Sequence, residues 1–344
     1  REILKYYMNG QPRSVDGSDK LQEIYDTYYN TEDFIRGTVW KRTVIEPEFG
    51  TYHGFFPLLE EKLKGMSIED AAKEAKRVMD VFVSGTSYAT AIWSGIAGFY
   101  GRYPRIPYGR PTAYTDHFRD TFEKCYPFAR KLEAEFARLL PDRHAKQKAF
   151  ADRLDNRFLI GEDTTFTTIT VNTTTHERNA RMACHRDAGS LNEGFSNLTV
   201  ISDGNKSWSG GYLVAPEVRA AINVRPGDLL LIDNMRVIHG NTPIKPPEGG
   251  TPEDLLRMSL VFYFREDMDN LGSWEYENLR RKFVDDRRKN KDHPLWKEYW
   301  NGVSPSMFEQ QEWYDYLTEN GGEEMTRQYH PEAFEVKNSL ESFF

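Results

Sequence analysis

The stretch Ala183-Cys184-His185-Arg186-Asp187 decides how the rest of the chain is interpreted. His185 and Asp187 are two positions apart, and side chains two apart on an extended strand project from the same face. An imidazole and a carboxylate would therefore enter one pocket. A single pair of this kind arises by chance in many proteins, so its meaning depends on residues later in the chain.

A second histidine, His239, comes 54 residues later, after the turn and apolar strand PGDLLLI at 226–232. Two neutral imidazoles and one carboxylate form a facial triad, which leaves three positions open and suits the oxygen chemistry of non-haem Fe(II). The sequence therefore predicts an Fe(II) site at His185, Asp187 and His239. His176 is a weaker candidate, because it lacks a carboxylate partner and lies in a polar turn.

Arg257 and Ser259 begin the last strand of this region and share one of its faces. A keto acid bound through two of the open metal positions, with O2 in the third, needs a fixed cation for its far carboxylate. An arginine fork supplies that cation better than a lysine. We expect Arg257 to bind this carboxylate, with the Ser259 hydroxyl beside it. Asn172 on an earlier strand either hydrogen-bonds the same acid or caps a backbone group.

Composition sets broad limits on the class of protein. The 344 residues are 39% hydrophobic and 28% charged, which is ordinary for a soluble globular protein. The two cysteines, Cys125 and Cys184, cannot build a disulfide framework or a CxxC metal site, so we expect a reducing intracellular setting. We find no signal peptide and no apolar run near 18 residues, so we expect no membrane span. The net charge of -8 argues against a nucleic-acid partner, although a basic groove on an acidic protein can still bind one.

The order of elements predicts the fold class. Helical spacing covers 115–154, with a break near Leu140 and Pro141. Strands separated by turn residues are predicted at 164–172, around His185, and at 197–201, 211–214, 228–232 and 258–264. Because strands and helices do not alternate, the sheets should be antiparallel. We predict an α+β fold with a double-stranded β-helix (jelly-roll, cupin-like) core and flanking N- and C-terminal helices.

We predict a single domain with three segments. Residues 1–156 supply N-terminal helical support and a loop region, residues 157–265 the double-stranded β-helix core, and residues 266–344 a C-terminal helical extension. The aromatic-rich end of that extension is expected to pack back on the body of the protein.

Two basic segments each have two interpretations. Residues 94–111 interleave glycine, proline, arginine and tyrosine, as a long loop that either pairs with phosphates and stacks on bases or packs its tyrosines inward. Residues 280–291 are basic on balance and form either a binding patch or a solvated helix face. We favour the inward-packed loop and the solvated face.

The HxD pair, the distal histidine after Pro-Gly-Asp and the later Arg-x-Ser resemble the 2-oxoglutarate/Fe(II)-dependent dioxygenases. Within that group, SLNEG at 190–194, the strand at 197–201 and GGYLV at 210–214 look like the TET/JBP branch. The resemblance covers roughly residues 160–265. It implies Fe(II), 2-oxoglutarate and O2 as cofactors, and hydroxylation of the 5-methyl group of a pyrimidine, 5-methylcytosine or thymine, in DNA.

By that resemblance, the target base must be flipped out of the duplex to reach the metal. A flipped ring needs an aromatic neighbour and contacts to its edge. Asn192, Arg105 and Tyr108 are the residues we expect to bind it.

Two other functions remain open on the residues alone. The acidic balance motivates a 2-oxoglutarate/Fe(II) hydroxylase of a small molecule or a protein side chain. A non-catalytic binding module is the third possibility, and the intact triad argues against it. We expect a monomer without a membrane partner. We also expect it inside the cell, in a nucleus or in the cytoplasm of a bacterial or phage-infected cell.

Overall fold

The computed structural model describes residues 3–7, 12–13, 93–104, 106–175, 182, 185–203, 206–215, 220–294 and 305–334. The predictions for Arg105, His176 and Cys184 therefore lie outside the described residues. Within the described part of the chain, no helix combines the length and the apolar character needed to cross a membrane.

The strands are β1 (Ile3–Tyr7), β2 (Pro12–Arg13), β3 (Trp93–Tyr100), β4 (Arg110–Pro111), β5 (Thr168–Thr175), β6 (Ser196–Ile201), β7 (Ser209–Gly210), β8 (Leu213–Ala215), β9 (Ala220–Ile222), β10 (Asp228–Ile232), β11 (Gly240–Asn241), β12 (Ile244–Lys245) and β13 (Leu256–Tyr263). The helices are α1 (Ala113–His117), α2 (Arg119–Glu123), α3 (Tyr126–Leu139), α4 (Pro141–Ala151), α5 (Trp274–Lys289) and α6 (Gln311–Tyr329). Short 3₁₀ turns lie at Asn156–Phe158, Pro252–Asp254, Glu266–Met268 and Pro305–Glu309.

Across the described ranges, the strands form one large and two small sheets. The large sheet has the order β2-β1-β10-β6-β13-β5-β3-β4, and the small ones are β11-β8-β9 and β12-β7. Each of these strand pairings is antiparallel. The chain thus combines helices with antiparallel sheets, as the absence of strand–helix alternation predicted.

Both faces of the large sheet are buried. On β10, Leu229 and Leu231 join a cluster with the helices that precede the strand block. Leu230 and Ile232 point the other way, into a second cluster that includes residues of the small sheets. Because alternate side chains of a strand leave on opposite faces, a strand buried on both sides must be apolar at every position. This explains the uninterrupted run of apolar residues before His239.

The predicted helical region breaks where expected. α3 ends at Leu139, and Leu140 leaves the helical conformation with φ -134° and ψ 62°. Pro141 then opens α4, where its fixed φ suits the first turn and its missing N–H costs nothing. Leu132 and Phe136 of α3 are fully buried against the large sheet. The break turns the chain so that both helices contribute to one core.

The expectation of a long loop over 94–111 is wrong in its first half. β3 occupies this stretch and pairs with β5 from Trp93 opposite Thr173 to Gly98 opposite Thr168. The glycines that suggested a loop reflect close packing of backbones instead. Gly98 has φ +100°, and a Cβ there would lie 2.3 Å from the carbonyl oxygen of Thr167. Glycine in a strand often marks such an approach.

The C-terminal helices pack onto a third cluster, as the aromatic-rich tail predicted. Trp313 and Leu317 of α6 are fully buried there with Phe283 of α5.

A buried carboxylate joins this unit to the loop before β4. Glu277 is 1% exposed and accepts hydrogen bonds from the backbone N–H groups of Gly109 at 2.6 Å and Gly272 at 2.8 Å. It also forms an ion pair with Arg102.

Candidate active site

Backbone pairing brings the two halves of the predicted triad together. His185 and His239 form an isolated antiparallel bridge, in which each N–H donates to the other's carbonyl oxygen, at 2.8 and 2.9 Å. The N–H of Asp187 donates to the carbonyl oxygen of Asn234 at 2.9 Å. These contacts fix the HxD segment beside the segment that comes after β10. Residues far apart in sequence therefore share one site.

The three predicted ligands converge on a common space. The Nε2 atom of His185 lies 3.2 Å from Oδ1 of Asp187, and Nε2 of His239 lies 4.0 Å from the same oxygen. One ligand atom from each of the three residues lies within 4.8 Å of the others. Ligand atoms about 2.1 Å from an ion and at right angles to each other are about 3 Å apart. This N, N, O set is a possible site for a divalent metal.

Neighbouring groups orient the ligands. Nδ1 of His239 lies 2.9 Å from the carbonyl oxygen of Val237, which can only accept, so Nδ1 carries the proton and Nε2 presents its lone pair. The side-chain amide of Asn234 donates to Oδ2 of Asp187 at 2.9 Å. The other carboxylate oxygen, Oδ1, faces the two histidines. Such outer contacts keep a metal site in shape before the metal arrives.

The charge states of these groups suit metal binding. Burial disfavours the charged form of Asp187, but hydrogen bonding to His185 and the neighbouring imidazoles outweigh burial and lower the pKa of Asp187. Burial also lowers the pKa of His239 from its ordinary value of 6.5. At neutral pH the carboxylate is therefore ionised and the imidazole of His239 is neutral, as ligands of a metal must be.

A cavity of about 600 Å³ opens beside the triad. This volume falls in the range of small-molecule sites. Six residues that the sequence singled out line the cavity together: His185, Asp187, His239, Arg257, Ser259 and Asn172. About a third of the Asp187 side chain, 35%, stays exposed, so the ligand cluster is open to whatever enters.

Arg257 is a buried cation with no acidic partner among the described residues. It is 7% exposed, and its side chain makes no hydrogen bond or ion pair with the part of the chain that the structure describes. Its Nε atom is fully buried and has no acceptor. Burial, with the positive charge of Arg225, lowers the pKa of Arg257 to about 10, so it remains charged at neutral pH. Buried charges in proteins are normally paired, so this guanidinium fits an anion supplied from outside the chain.

Strand register aligns the other two predicted cosubstrate residues. Ser259 on β13 lies opposite Asn172 on β5, and Asn172 lies opposite Ser94 on β3. All three border the cavity and form one polar row across the sheet. Arg257 lies one step along the same face, two positions before Ser259, as the alternation predicted.

Two of the three residues predicted to bind a base, Tyr108 and Asn192, do not line the cavity. Tyr108 is 5% exposed and packs in the C-terminal cluster, because the loop before β4 turns towards α5. Asn192 is exposed, and its Oδ1 accepts a hydrogen bond from Arg236 at 3.0 Å. Arg105 lies outside the described residues. The burial of Tyr108 agrees with the inward-packed interpretation of this segment.

Tyr100, Tyr103 and Arg110 of the segment 94–111 form a compact cluster with Arg265 at the edge of the cavity. The guanidinium carbon of Arg110 lies 4.8 Å from the ring centroid of Tyr100, and that of Arg265 lies 5.0 Å from the same centroid. Arg265 also hydrogen-bonds the hydroxyl of Tyr103 and pairs with Asp267 at 3.0 Å. Arg265 lines the cavity, so this cluster forms part of its wall.

Sequence reasoning missed several residues that line the cavity, and Tyr263 and Arg265 are two of them. Tyr263 lies on β13 six positions after Arg257, and Arg265 comes two positions later. Alternation along β13 places every second residue from Arg257 on one face, so extending that count past Ser259 would have found both. Asn234 carries no comparable signal, because only the folded chain places it beside Asp187.

Comparison with known proteins agrees with the resemblance drawn from the motifs. Residues 108–266 match the Tet_JBP family model, described as the oxygenase domain of the 2OGFeDO superfamily. The matched segment contains the triad, the cavity-lining strands β5 and β13, and Arg257.

The relatives include thymine dioxygenases. The chain is 33% identical over 159 residues to the bifunctional helicase and thymine dioxygenase JBP2 of Leishmania tarentolae, covering 46% of this chain and 13% of that protein. It is 30% identical over 194 residues to JBP2 of Leishmania braziliensis, covering 56% and 16%. It is 25% identical over 205 residues to the thymine dioxygenase JBP1 of Crithidia fasciculata, covering 59% and 23%. The chain thus spans less than a quarter of the length of these curated relatives.

Among solved structures, NgTET1 in complex with 5mC DNA aligns over 63% of this chain and 76% of that chain, with 13% identity and a TM-score of 0.42. The match to the family model identifies the segment that contains the triad. Residues 108–266, which match the Tet_JBP family model, include the motifs around His185 that resemble the same branch.

Proposed function

We propose that this chain is a 2-oxoglutarate- and Fe(II)-dependent dioxygenase that hydroxylates the 5-methyl group of a pyrimidine in DNA. One observation carries the cofactor assignment. A single cavity holds a His-Asp-His set at one side and a buried, unpaired guanidinium at Arg257. A metal-chelating acid with a second carboxylate would satisfy both. The Tet_JBP match and the names of the relatives support the methylpyrimidine in DNA as substrate.

The residues present fit the implied cofactors. His185, Asp187 and His239 would hold Fe(II) through two imidazole nitrogens and one carboxylate oxygen. Arg257 would bind the distal carboxylate of 2-oxoglutarate, because the buried Nε of Arg257 has no acceptor in the described chain. Ser259 and Asn172 would complete that end of the cavity. With O2, the bound metal and keto acid supply the hydroxylation of a methyl group.

The sheets support a double-stranded β-helix as the finer description of the fold. β6, β10 and β13 of the large sheet and β8, β9 and β12 of the small sheets contribute to one apolar cluster, so the large sheet faces the small ones. The triad lies where β11 and the HxD segment meet. We extend the proposal to residues 1–344 acting as one oxygenase unit, with α5 and α6 as its C-terminal support.

The burial of the metal ligands limits how a DNA base can reach them. His185 and His239 are 6% and 7% exposed, so a base stacked in a duplex cannot reach them. The target nucleotide would be flipped into the cavity. Of the walls available to it, Tyr263 offers an aromatic ring and Arg265 a donor fork. A DNA substrate would place the site of action inside a cell.

A second candidate keeps the cofactors and changes the substrate to a small molecule or a protein side chain. The net charge of -8 favours it, because tracking a phosphate backbone usually requires a basic excess.

Nucleoside mass spectrometry decides between the two. Protein loaded with Fe(II) is incubated anaerobically with 2-oxoglutarate and DNA that contains thymine or 5-methylcytosine, and O2 is then admitted. We expect a hydroxymethylated pyrimidine after digestion, and none with the His185→Ala variant. Succinate release without any modified base, in both duplex and single-stranded DNA, would refute DNA as the substrate. No keto-acid turnover at all would refute the dioxygenase.

A further inference from the structure

The unpaired Arg257 has an aromatic neighbour that the motifs did not indicate. Its guanidinium carbon lies 5.7 Å from the centroid of the Trp208 ring. Trp208 is 4% exposed, and its Nε1 is buried without an acceptor in the described chain. The indole therefore presents its ring to a cation deep inside the protein. A guanidinium near an aromatic face is held in orientation as well as stabilised.

A second guanidinium lies near the same ring. The guanidinium carbon of Arg225 is 5.0 Å from the Trp208 centroid. Two arginines thus share one indole, and neither forms an ion pair with a carboxylate of the described chain. Asp228 accepts a hydrogen bond from the backbone N–H of Arg225 at 2.9 Å, and its negative charge also acts on the Arg225 guanidinium.

Neutral oxygens fix the side chain of Arg225. Its Nε donates to Oδ1 of Asn223 at 2.6 Å, and its two terminal nitrogens donate to the carbonyl oxygens of Trp208 at 3.0 Å and Gly210 at 3.3 Å. These acceptors hold the guanidinium in place but carry no charge that would neutralise it. The same bonds hold the backbone that carries Trp208. Arg225 therefore sets the position of the indole and adds positive potential beside Arg257.

We propose that Trp208 and Arg225 are positioning residues for the distal carboxylate of the 2-oxo acid that Arg257 binds. Trp208 holds the plane of the Arg257 fork so that two N–H groups face the carboxylate. Arg225 supplies a second positive charge that the incoming anion neutralises. The inference rests on the proposed function, since it takes the keto acid to be the occupant of the cavity.

This arrangement makes the second carboxylate of the ligand important for affinity. Coulomb attraction between unlike charges is strengthened where water is excluded, and two cations near one anion add to each other. A 2-oxo acid without that carboxylate, such as pyruvate, keeps the metal-chelating end but cannot use the Arg257–Trp208–Arg225 group. Loss of Trp208 or Arg225 should therefore weaken binding of 2-oxoglutarate and leave binding of pyruvate unchanged.

The test is equilibrium binding rather than turnover. The full chain is loaded with Mn(II), and its dissociation constants for 2-oxoglutarate and pyruvate are measured by calorimetry. We expect Trp208→Leu and Arg225→Gln each to raise the constant for 2-oxoglutarate at least tenfold and to change that for pyruvate less than twofold. Trp208→Phe and Arg225→Lys keep the ring and the charge, and should recover most of the loss. Arg281→Gln, at a partly exposed position of α5 outside the cavity lining, is the matched control and should bind as the unmodified chain does.

Three outcomes separate the ideas. If the unmodified chain binds 2-oxoglutarate and both variants bind it within twofold, the positioning role is overturned. If binding of pyruvate falls as much as binding of 2-oxoglutarate, or if Phe and Lys recover nothing, the variants have damaged the fold, and the role is again overturned. If the unmodified chain binds no keto acid, the proposed function itself fails and this inference fails with it.

Discussion

Arg257 on β13 and the acid-paired Arg281 and Arg288 on α5 occupy contrasting environments. On β13, Arg257 is 7% exposed and has no carboxylate partner in the described chain. On α5, Arg281 lies 3.7 Å from Asp116 and 4.0 Å from Asp285, and Arg288 lies 3.9 Å from Asp285. The charge of Arg257 is buried and has no acid to offset it, whereas Arg281 and Arg288 are partly exposed and acids offset their charges. Only the first environment calls for a ligand.

The contrast shows which kind of basic residue indicates a binding site. The run at 280–291 is only in part the solvated face that the sequence favoured. Arg281, Arg288 and Lys289 pair with acids. Arg280 and Arg287 are buried, and they donate to the carbonyl oxygen of Pro107 and pair with Glu312 respectively. Arg257 is a single cation in an apolar strand. Burying a charge costs several kcal/mol unless something compensates, so a lone buried arginine needs a functional reason. The number of basic residues in a sequence segment therefore indicates a binding site less well than the burial of a basic residue without an acidic partner.

The largest effect is expected from Arg257→Leu. Removing the guanidinium should raise the KM for 2-oxoglutarate at least about 100-fold, because a charge-assisted fork is lost from a buried site. The melting temperature should stay level or rise, since an unpaired buried charge is removed. Steady-state kinetics and thermal unfolding measure the two quantities. Arg281→Leu on α5 should change neither, and a KM shift below threefold for Arg257→Leu would remove Arg257 from the site.

Glu277→Gln tests the opposite case of a buried charge whose partners come from the protein. Its carboxylate serves two backbone N–H groups and Arg102, so the amide should lower the free energy of unfolding by about 2–4 kcal/mol. Urea unfolding measures this loss. The dissociation constant for 2-oxoglutarate should stay unchanged, because Glu277 lies in the C-terminal unit. Unchanged stability would mean that the carboxylate does not join that unit to the loop before β4.

Acid should weaken the contact at the start of α5. Hydrogen bonding to Arg157 and the N–H of Trp274 lowers the pKa of Asp155 to about 2 from 3.8, despite partial burial. A lowered folded-state pKa means that the stabilisation is complete above pH ~4 and is lost as pH falls towards 2. With allowance for solvent screening, the contribution is about 1 kcal/mol. Urea unfolding of the protein and of Asp155→Asn between pH 5 and 2.5 should show the two stabilities converging.

The smallest effect is expected from Arg281→Gln combined with Arg288→Gln. Exposed ion pairs contribute about 0–1 kcal/mol, so stability should change by less than about 0.5 kcal/mol. DNA affinity and its salt dependence should also stay within twofold, because nearby acids already offset these cations. Fluorescence anisotropy at two salt concentrations measures this. A clear loss of affinity would turn the solvated face into a DNA-binding surface.

The spacing of residues within a strand predicted which neighbouring side chains share the site. The i, i+2 spacing placed His185 with Asp187 and Arg257 with Ser259, and period-two alternation would have extended to Tyr263. The helix break at Leu140 was predictable from Pro141. β3 was missed because its glycines serve close backbone packing, which a single sequence does not distinguish from a loop. Tyr108, Trp208 and Asn234 acquire their surroundings from segments distant in sequence, so composition could not place them.

The mutual hydrogen bonds between His185 and His239 have a thermodynamic consequence. The same two residues pair the backbone and aim both imidazoles, so the ion-binding arrangement forms when these two backbone segments pair. Any ion that prefers the paired arrangement must therefore add its binding free energy to the cohesion of the two segments. Loading with metal should slow amide hydrogen exchange at both residues, far more than at the helices behind the sheet.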